Sequence, residues 1–310
     1  MKDFARPGGG SSRSAPPPSR PVVEKGGDGR PAAGAWLRPV LLEAAVRAGL
    51  AALRIRRRGG IDVQDKADGS PVTEGDLAAN AEITSVLGNA LPRIQIRSEE
   101  AEPPTLARGE THFLVDPVDG TRDYLAGGSE FTVNIALIVD ETPCAGVLLA
   151  PARRAGFLAA GDGCTLRIDF HEDLTVAGWR RLATAPDAEA RRTAFVSRRQ
   201  LNRSTRDWLQ HKGLDRVIRC SSSWKFGLLA EGQAAAYPRI TWIHDWDIAA
   251  GHAILAAAGG RVLLPDHSGP VAYPAGDGMV DGFVAYAPGC VPAATTAAAS
   301  LPLATRQHER

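Results

Sequence analysis

Two aspartates three residues apart, Asp116 and Asp119, stand in the stretch HFLVDPVDGTRDYLAGG (112–128). The first ends an apolar run, and the second enters the turn that follows. Carboxylates this close repel each other, and a turn needs only one Asx residue. A cation held between them resolves the repulsion. The stretch supplies hard oxygen donors from both side chains, the Val118 carbonyl between them, and amides at Gly120 and Thr121 where a helix can open toward an anion. Taken singly, Asp119 reads as a turn residue and Asp116 as a strand-end cap; the pair within D-P-x-D-G-T points to a bound cation. An EF-hand is excluded, because its loop has acids at the first, third and fifth positions.

Other acids have ordinary explanations when taken alone. Glu99 and Glu100 follow the strand-like RIQIR, and EEAEPP reads as a solvated acidic loop. Asp247 in HDWDIAAG begins an Ala-rich helix, where an N-cap carboxylate is the usual reading. Thr73-x-x-Asp76 is a capping-box pattern, which by itself accounts for Asp76. The seven histidines are scattered and none is assigned a role; His244, beside the WD pair, reads as packing or capping. Cys144, Cys164, Cys220 and Cys290 show no C-x-x-C and no zinc spacing, so free thiols in a reducing cytoplasm are expected.

Positioning these carboxylates requires a layered scaffold. HFLVD is apolar enough for a buried strand, and ligand sites in layered α/β proteins gather at the carboxyl ends of strands. PVLLEAAVRAGLAALRIRR predicts an amphipathic helix with Leu42, Val46, Leu50 and Leu53 along one face, and SPVTEGDLAANAEITSVLGNAL a second helix capped by Thr73. RIQIR, HFLVD, FTVNIALIV and AGVLLA read as strands with no long helix between them. The second half interleaves helices (LNRSTRDWLQHKG, WKFGLLAEG, WDIAAGHAILAAAGG) with strands, without a clean βαβ repeat. No Gly-rich phosphate loop of the P-loop or dinucleotide type occurs.

The chain of 310 residues, 44% hydrophobic and 23% charged, is long enough for one large domain or two halves. A net charge of +1 gives no global reason to expect a nucleic-acid polymer or a membrane surface as partner. No apolar run approaches the ~18 residues of a membrane helix, and the N-terminus lacks the apolar region of a secretory signal. Residues 1–35, rich in Pro, Gly, Ser and Arg, are expected to form a disordered leader. The expected division is then an N-terminal α+β half (36–185), a C-terminal α/β half (186–290) and a tail (291–310).

The ordered motifs SEE, DPVDGT and WDIAAG, with SPVTEGD before them and GG closing the last helix, resemble the inositol monophosphatase-type, magnesium-dependent, lithium-sensitive phosphatase superfamily. The likeness covers roughly residues 36–290. It implies an α+β fold, a layered αβαβα sandwich with metals between its halves. It implies Glu99, Asp116, Asp119, Asp247 and the Val118 carbonyl as Mg²⁺ ligands, with Asp76 and Thr121 positioning and activating the attacking water. Glu100 matches no ligand position.

Within the superfamily, GSEFTVNIALI, SSSWKFGLLAEGQAAAYPR and AGHAILAAAGG resemble the 3′(2′),5′-bisphosphate nucleotidase branch. That branch removes the 3′-phosphate of adenosine 3′,5′-bisphosphate, a by-product of sulfate assimilation. Where inositol phosphatases carry an acid that takes sugar hydroxyls, this chain has YPR, with Arg239. Gly120, Thr121, Ser222, Ser223, Lys225 and Arg239 are accordingly the expected substrate contacts. Alone, Arg239 reads equally as a surface arginine, Lys225 as solvated and the serines as helix caps. Arg122 replaces the branch's usual Lys after DGT, and Gln200 stands where it tends to carry a His. The expected protein is a cytoplasmic monomer acting on a small phosphorylated nucleotide. Alternatives are an inositol or other sugar phosphatase, less so a fructose bisphosphatase, and a non-catalytic metal- or nucleotide-binding regulator.

Overall fold

The computed structural model describes residues 34–292, apart from 67–68, 183–184, 275 and 277. The expected leader and tail therefore lie outside the described residues, except for 34–35 and 291–292. The chain opens with α1 (Gly34–Arg58), then a two-stranded hairpin of β1 (Val63–Asp65) and β2 (Pro71–Thr73), and α2 (Glu74–Ala90). Leu37, Leu41, Ala44, Ala45, Ala48 and Ala52 form the buried stripe of α1 at helical spacing. Of the face expected from sequence, only Leu53 belongs fully to it; Leu42, Val46 and Leu50 are partly buried at its flank. The alanines let α1 lie close against α2, which buries Ala79, Ile83, Val86 and Leu87.

A seven-stranded sheet follows, running β3 (Gln95–Ser98), β4 (His112–Asp119), β5 (Thr132–Val139), β6 (Thr142–Ala150), β7 (Ala155–Ala159), β8 (Thr165–Phe170) and β9 (Val176–Arg181) in spatial order. Only β3 and β4 pair in parallel; the rest is an antiparallel meander. The short helix α3 (Thr121–Leu125) lies in the β4–β5 connection. Strands β4 and β5 are buried at seven of eight positions each, covered on both faces and hence apolar without alternation.

The second half contributes β10 (Thr193–Ser197), α4 (Arg203–His211), β11 (Arg216–Cys220), α5 (Trp224–Ala230), β12 (Ala236–Arg239), β13 (Ile243–His244), α6 (Ala249–Ala257), β14 (Arg261–Leu263), β15 (Met279–Val280) and β16 (Phe283–Tyr286). Its five-stranded sheet runs β11-β10-β12-β16-β14, parallel through β12 and antiparallel beyond, while β13 and β15 form a separate two-stranded pair.

Three apolar layers hold these elements together. Phe113, Val115, Ile135 and Leu137 pack under α1 and α2. Leu114, Phe157, Phe226, Tyr237 and Phe283 fill the space around α5 and α6, between the two sheets. Trp208, Leu209, Val284 and Tyr286 seat α4 on the outer face of the five-stranded sheet. The architecture is an αβαβα sandwich, and the carboxyl end of β4 opens beside its middle helical layer.

Candidate active site

Residues three apart on a regular strand face opposite ways. Leu114 faces the middle layer, and alternation carries Asp116 to the same side; its backbone partner is Asn134. Asp119 would point away, but the β4–β5 register shifts between Asp116 and Asp119. Pro117, which has no N–H for the ladder, sits at the irregularity. The shift turns Asp119 back to the same side, where the Ser223 amide donates to its carboxylate. Beyond it Gly120 adopts φ +90°, a left-handed conformation that favours glycine, and leads into α3.

The third carboxylate arrives from the C-terminal half. Asp245–Asp247 forms a single 3-10 turn before α6, and no side chain caps that helix. The N-cap reading of Asp247 is thereby replaced: its carboxylate joins Asp116 and Asp119, with one oxygen from each within 4.8 Å of the others. Burial pushes Asp116 and Asp247 well above the ordinary carboxylate range, and repulsion from Glu99 and from each other's neighbours adds to it. Burial also raises Asp119, against the pull of Lys225 and the Ser223 hydrogen bonds. An all-oxygen trio of this kind, with Asp116 buried and Asp119 and Asp247 half-buried, is destabilised by its own charge and fits a hard divalent cation.

Asp76 serves two structures at once. Its Oδ2 accepts from the Thr73 amide at 2.8 Å, completing the capping box of α2. Its Oδ1 lies 3.5 Å from the Thr121 hydroxyl, which also sits 3.2 Å from the Val118 carbonyl oxygen. Burial, offset in part by the Thr73 bonds, pushes Asp76 up to about 6. The capping box read from sequence is present at this residue, and its second oxygen is left facing Thr121.

The SEE segment is not a solvated loop. The Glu99 amide donates to Val115 O at 3.0 Å, tying it to β4. Lys66, at the end of β1, bridges Glu99 at 2.7 Å and Glu100 at 2.6 Å. Glu100, only 5% exposed in its side chain, is pushed up to about 7 chiefly by burial. Lys66 was not singled out from sequence, because nothing local marks the hairpin that carries it across.

Above the carboxylates lies a cavity of about 400 Å³ with a basic wall: Arg122, Arg198, Arg199, Arg239 and Lys225, beside Gln200 and the serines 221–223. Arg198 is engaged by Glu130 and, at 3.9 Å, by Asp123. Arg239 faces Asp247, whose carboxylate it stabilises, and its Nε finds no hydrogen-bond partner among the described residues. Lys225 is neither solvated nor free: 2% exposed, its ammonium donates to the carbonyls of Cys220 and Ser222. Burial pushes it down to about 8. Ser223 is likewise committed inward, its hydroxyl bonded to Asn134 at 2.7 Å and Thr132 at 2.9 Å. These two residues hold Asp119 and the 221–223 turn, while Ser222, held at φ +54°, and Arg239 face the cavity. Thr132 and Asn134 were missed from sequence; their signal is two polar residues inside the otherwise apolar FTVNIALIV.

Comparison with known proteins places this geometry. The inositol monophosphatase family profile matches residues 36–300. The 3′(2′),5′-bisphosphate nucleotidase CysQ of Shigella flexneri is 39% identical over 204 residues, 65% of this chain and 79% of that protein. Histidinol-phosphatase of Mycobacterium tuberculosis is 32% identical over 221 residues, covering 68% and 81%. Among solved structures, CysQ from Bacteroides thetaiotaomicron superposes with a TM-score of 0.70 at 29% identity, over 81% of this chain and 97% of that one.

Proposed function

The chain belongs to the inositol monophosphatase family, and on that premise we propose that it is a Mg²⁺-dependent 3′(2′),5′-bisphosphate nucleotidase. It removes the 3′-phosphate of adenosine 3′,5′-bisphosphate to give AMP and phosphate. The observation that carries the reading is the junction of two charges: buried Asp116 with half-buried Asp119 and Asp247, under a wall bearing four arginines. Family membership brings divalent-metal dependence; the choice of Mg²⁺ rests on the all-oxygen donor set.

Asp116, Asp119 and Asp247, with Glu99 and the Val118 carbonyl, would hold the cation. When bound, a divalent cation supplies Lewis acidity toward phosphate oxygens and water. The protein's own groups then orient the reaction. Thr121 and Asp76 form a short relay beside the Val118 carbonyl, fit to hold the attacking water and accept its proton at Asp76 Oδ1. The amides of Gly120 and Thr121 open α3 toward the phosphate. Arg239 and Ser222 face the rest of the substrate, and guanidinium groups pair bidentately with a second phosphate. No Ser, Cys or His nucleophile is needed.

One observation favours a second reading, the relationship to a histidinol-phosphatase. Histidinol phosphate carries an ammonium group, which a wall of arginines repels; inositol phosphates offer neutral hydroxyls that leave those arginines unpaired. Phosphate release with Mg²⁺ tests the choice, comparing adenosine 3′,5′-bisphosphate, AMP, inositol 1-phosphate and histidinol phosphate. Preference for the bisphosphate supports the nucleotidase. Preference for a monophosphate keeps the carboxylate centre and overturns the substrate.

No helix among the described residues is long and apolar enough to cross a membrane. Action in the cytoplasm, as a monomer on a soluble nucleotide, completes the proposal.

A further inference from the structure

Arg97 and Asp245 form a buried ion pair, with side chains 4% and 3% exposed, across 148 residues of sequence. Arg97 lies on β3 two residues before Glu99, and Asp245 begins the 3-10 turn two residues before Asp247. The pair thus joins the segment carrying one expected ligand to the segment carrying another, from opposite halves of the chain. Besides the one carboxylate oxygen that its Nη2 engages, Arg97 meets an aromatic ring: its guanidinium carbon lies 5.7 Å from the Trp246 ring centroid, and Trp246 directly precedes Asp247. Trp246 also stacks on His244, with ring centroids 4.4 Å apart and an interplanar angle of 8°.

The surroundings are built around this contact. Gly278, at φ +76°, covers it; a Cβ there would collide with Arg97 Nη2 and lie 3.2 Å from Asp245 Oδ1. The Asp245 amide donates to Gly278 O at 2.8 Å, anchoring the turn to the segment before β15. Yet Arg97 Nη1 and Asp245 Oδ1 have no hydrogen-bond partner among the described residues. A buried ion pair left half-satisfied is a poor device for stability, since an apolar pair of similar volume commonly does as well or better. What it offers instead is a fixed distance between two backbone segments.

We infer that Arg97 and Asp245 are positioning residues that set the separation of Glu99 from Asp247 and so preorganise the carboxylate site for its divalent cation. This rests on the metal reading of those carboxylates. Neither residue touches substrate. Both pair members are needed for the geometry, and their charges cancel, so removing both leaves the net field at the carboxylates nearly unchanged. The loss on double replacement is therefore a loss of placement.

The test is Mg²⁺ binding by calorimetry, together with metal-free thermal unfolding, for the unsubstituted chain, R97M, D245L and the double variant R97M/D245L. Each single variant leaves a buried unpaired charge and is expected to unfold at lower temperature, or not to fold. The double variant is expected to regain most of the metal-free stability, yet bind Mg²⁺ at least about tenfold more weakly, a factor worth about 1.4 kcal/mol. It should also need correspondingly more Mg²⁺ for half-maximal turnover. A stable double variant with unchanged Mg²⁺ affinity overturns the positioning role. If the double variant fails to fold, R97K supplies the test: its shorter reach and single point of charge should weaken Mg²⁺ binding in a folded protein, and unchanged affinity again overturns the role. Absence of Mg²⁺ binding by the unsubstituted chain overturns both this inference and the metal reading beneath it.

Discussion

At and beneath the floor of the cavity, Asp119, Asp116 and Asp76 sit on strand ends and a helix start, each gripped by backbone amides or by side chains of the next layer. At its rim, Arg122, Arg199 and Gln200 stand on exposed positions. The floor is fixed by the packing of three layers, and moving one carboxylate means moving a sheet. The rim is fixed by little beyond its own connections, and a residue there can change without cost to the fold. Chemistry common to a family belongs on the first, and the choice of substrate belongs on the second.

Substitutions that separate the two regions sharpen the comparison. The largest effect is expected from Asp119→Asn, which keeps shape but removes a charge from the trio: turnover should fall by at least about a thousandfold, about 4 kcal/mol, with thermal unfolding little changed. Near-normal Mg²⁺-dependent rates in that variant would sink the metal assignment. Thr121→Val, which deletes the hydroxyl between Asp76 and Val118, should lower kcat by about a hundredfold and leave Mg²⁺ affinity alone. At the rim, Arg239→Met should raise KM for the bisphosphate about tenfold while sparing KM for adenosine 3′-monophosphate, which lacks the 5′-phosphate that Arg239 would pair. An equal loss on both substrates would move Arg239 from the rim to the floor. Arg199→Ala, an exposed charge, should shift the bisphosphate KM by no more than about threefold.

The smallest effect at neutral pH lies outside both regions. His252, buried with Nδ1 3.0 Å from the Tyr273 hydroxyl, is held down to about 4 by burial. Its folded value lies below the ordinary 6.5, so the unfolded chain takes up the proton first. Stability is full above about 6.5 and declines as pH falls toward 4, by an amount on the order of 3 kcal/mol. His252→Gln, keeping a partner for Tyr273, should flatten that stretch of the urea-unfolding profile and leave activity at pH 7.5 unchanged. An unaltered acid slope would show that other groups set it.

The floor was far easier to read from sequence than the rim. HFLVD announces a buried strand, and a carboxylate ending it followed by D-G-T leaves few structural explanations. Elsewhere local readings stopped short. SEE looks solvated because the covering lysine, Lys66, lies more than thirty residues upstream on a hairpin that two short strands barely signal. WD looks like a helix cap because the 3-10 turn that withdraws Asp247 from α6 depends on contacts with Arg97 and Gly278. Lys225 and Ser223 looked like substrate donors because the pattern shows neither the turn that aims the Cys220 and Ser222 carbonyls at the Lys225 ammonium nor the docking of that turn on Asn134 and Thr132 of β5. The stripe of α1 was misplaced by one face because alanines, weak in any hydrophobic pattern, form the close contact with α2.

The most direct measurement is phosphate release by the purified chain, with Mg²⁺ and then with chelator, from adenosine 3′,5′-bisphosphate and inositol 1-phosphate in parallel. Rapid release from the bisphosphate, abolished by chelation, with inositol 1-phosphate at least about tenfold poorer in kcat/KM, is the predicted result. Release that survives complete removal of metal, or a preference for the inositol ester, would contradict it.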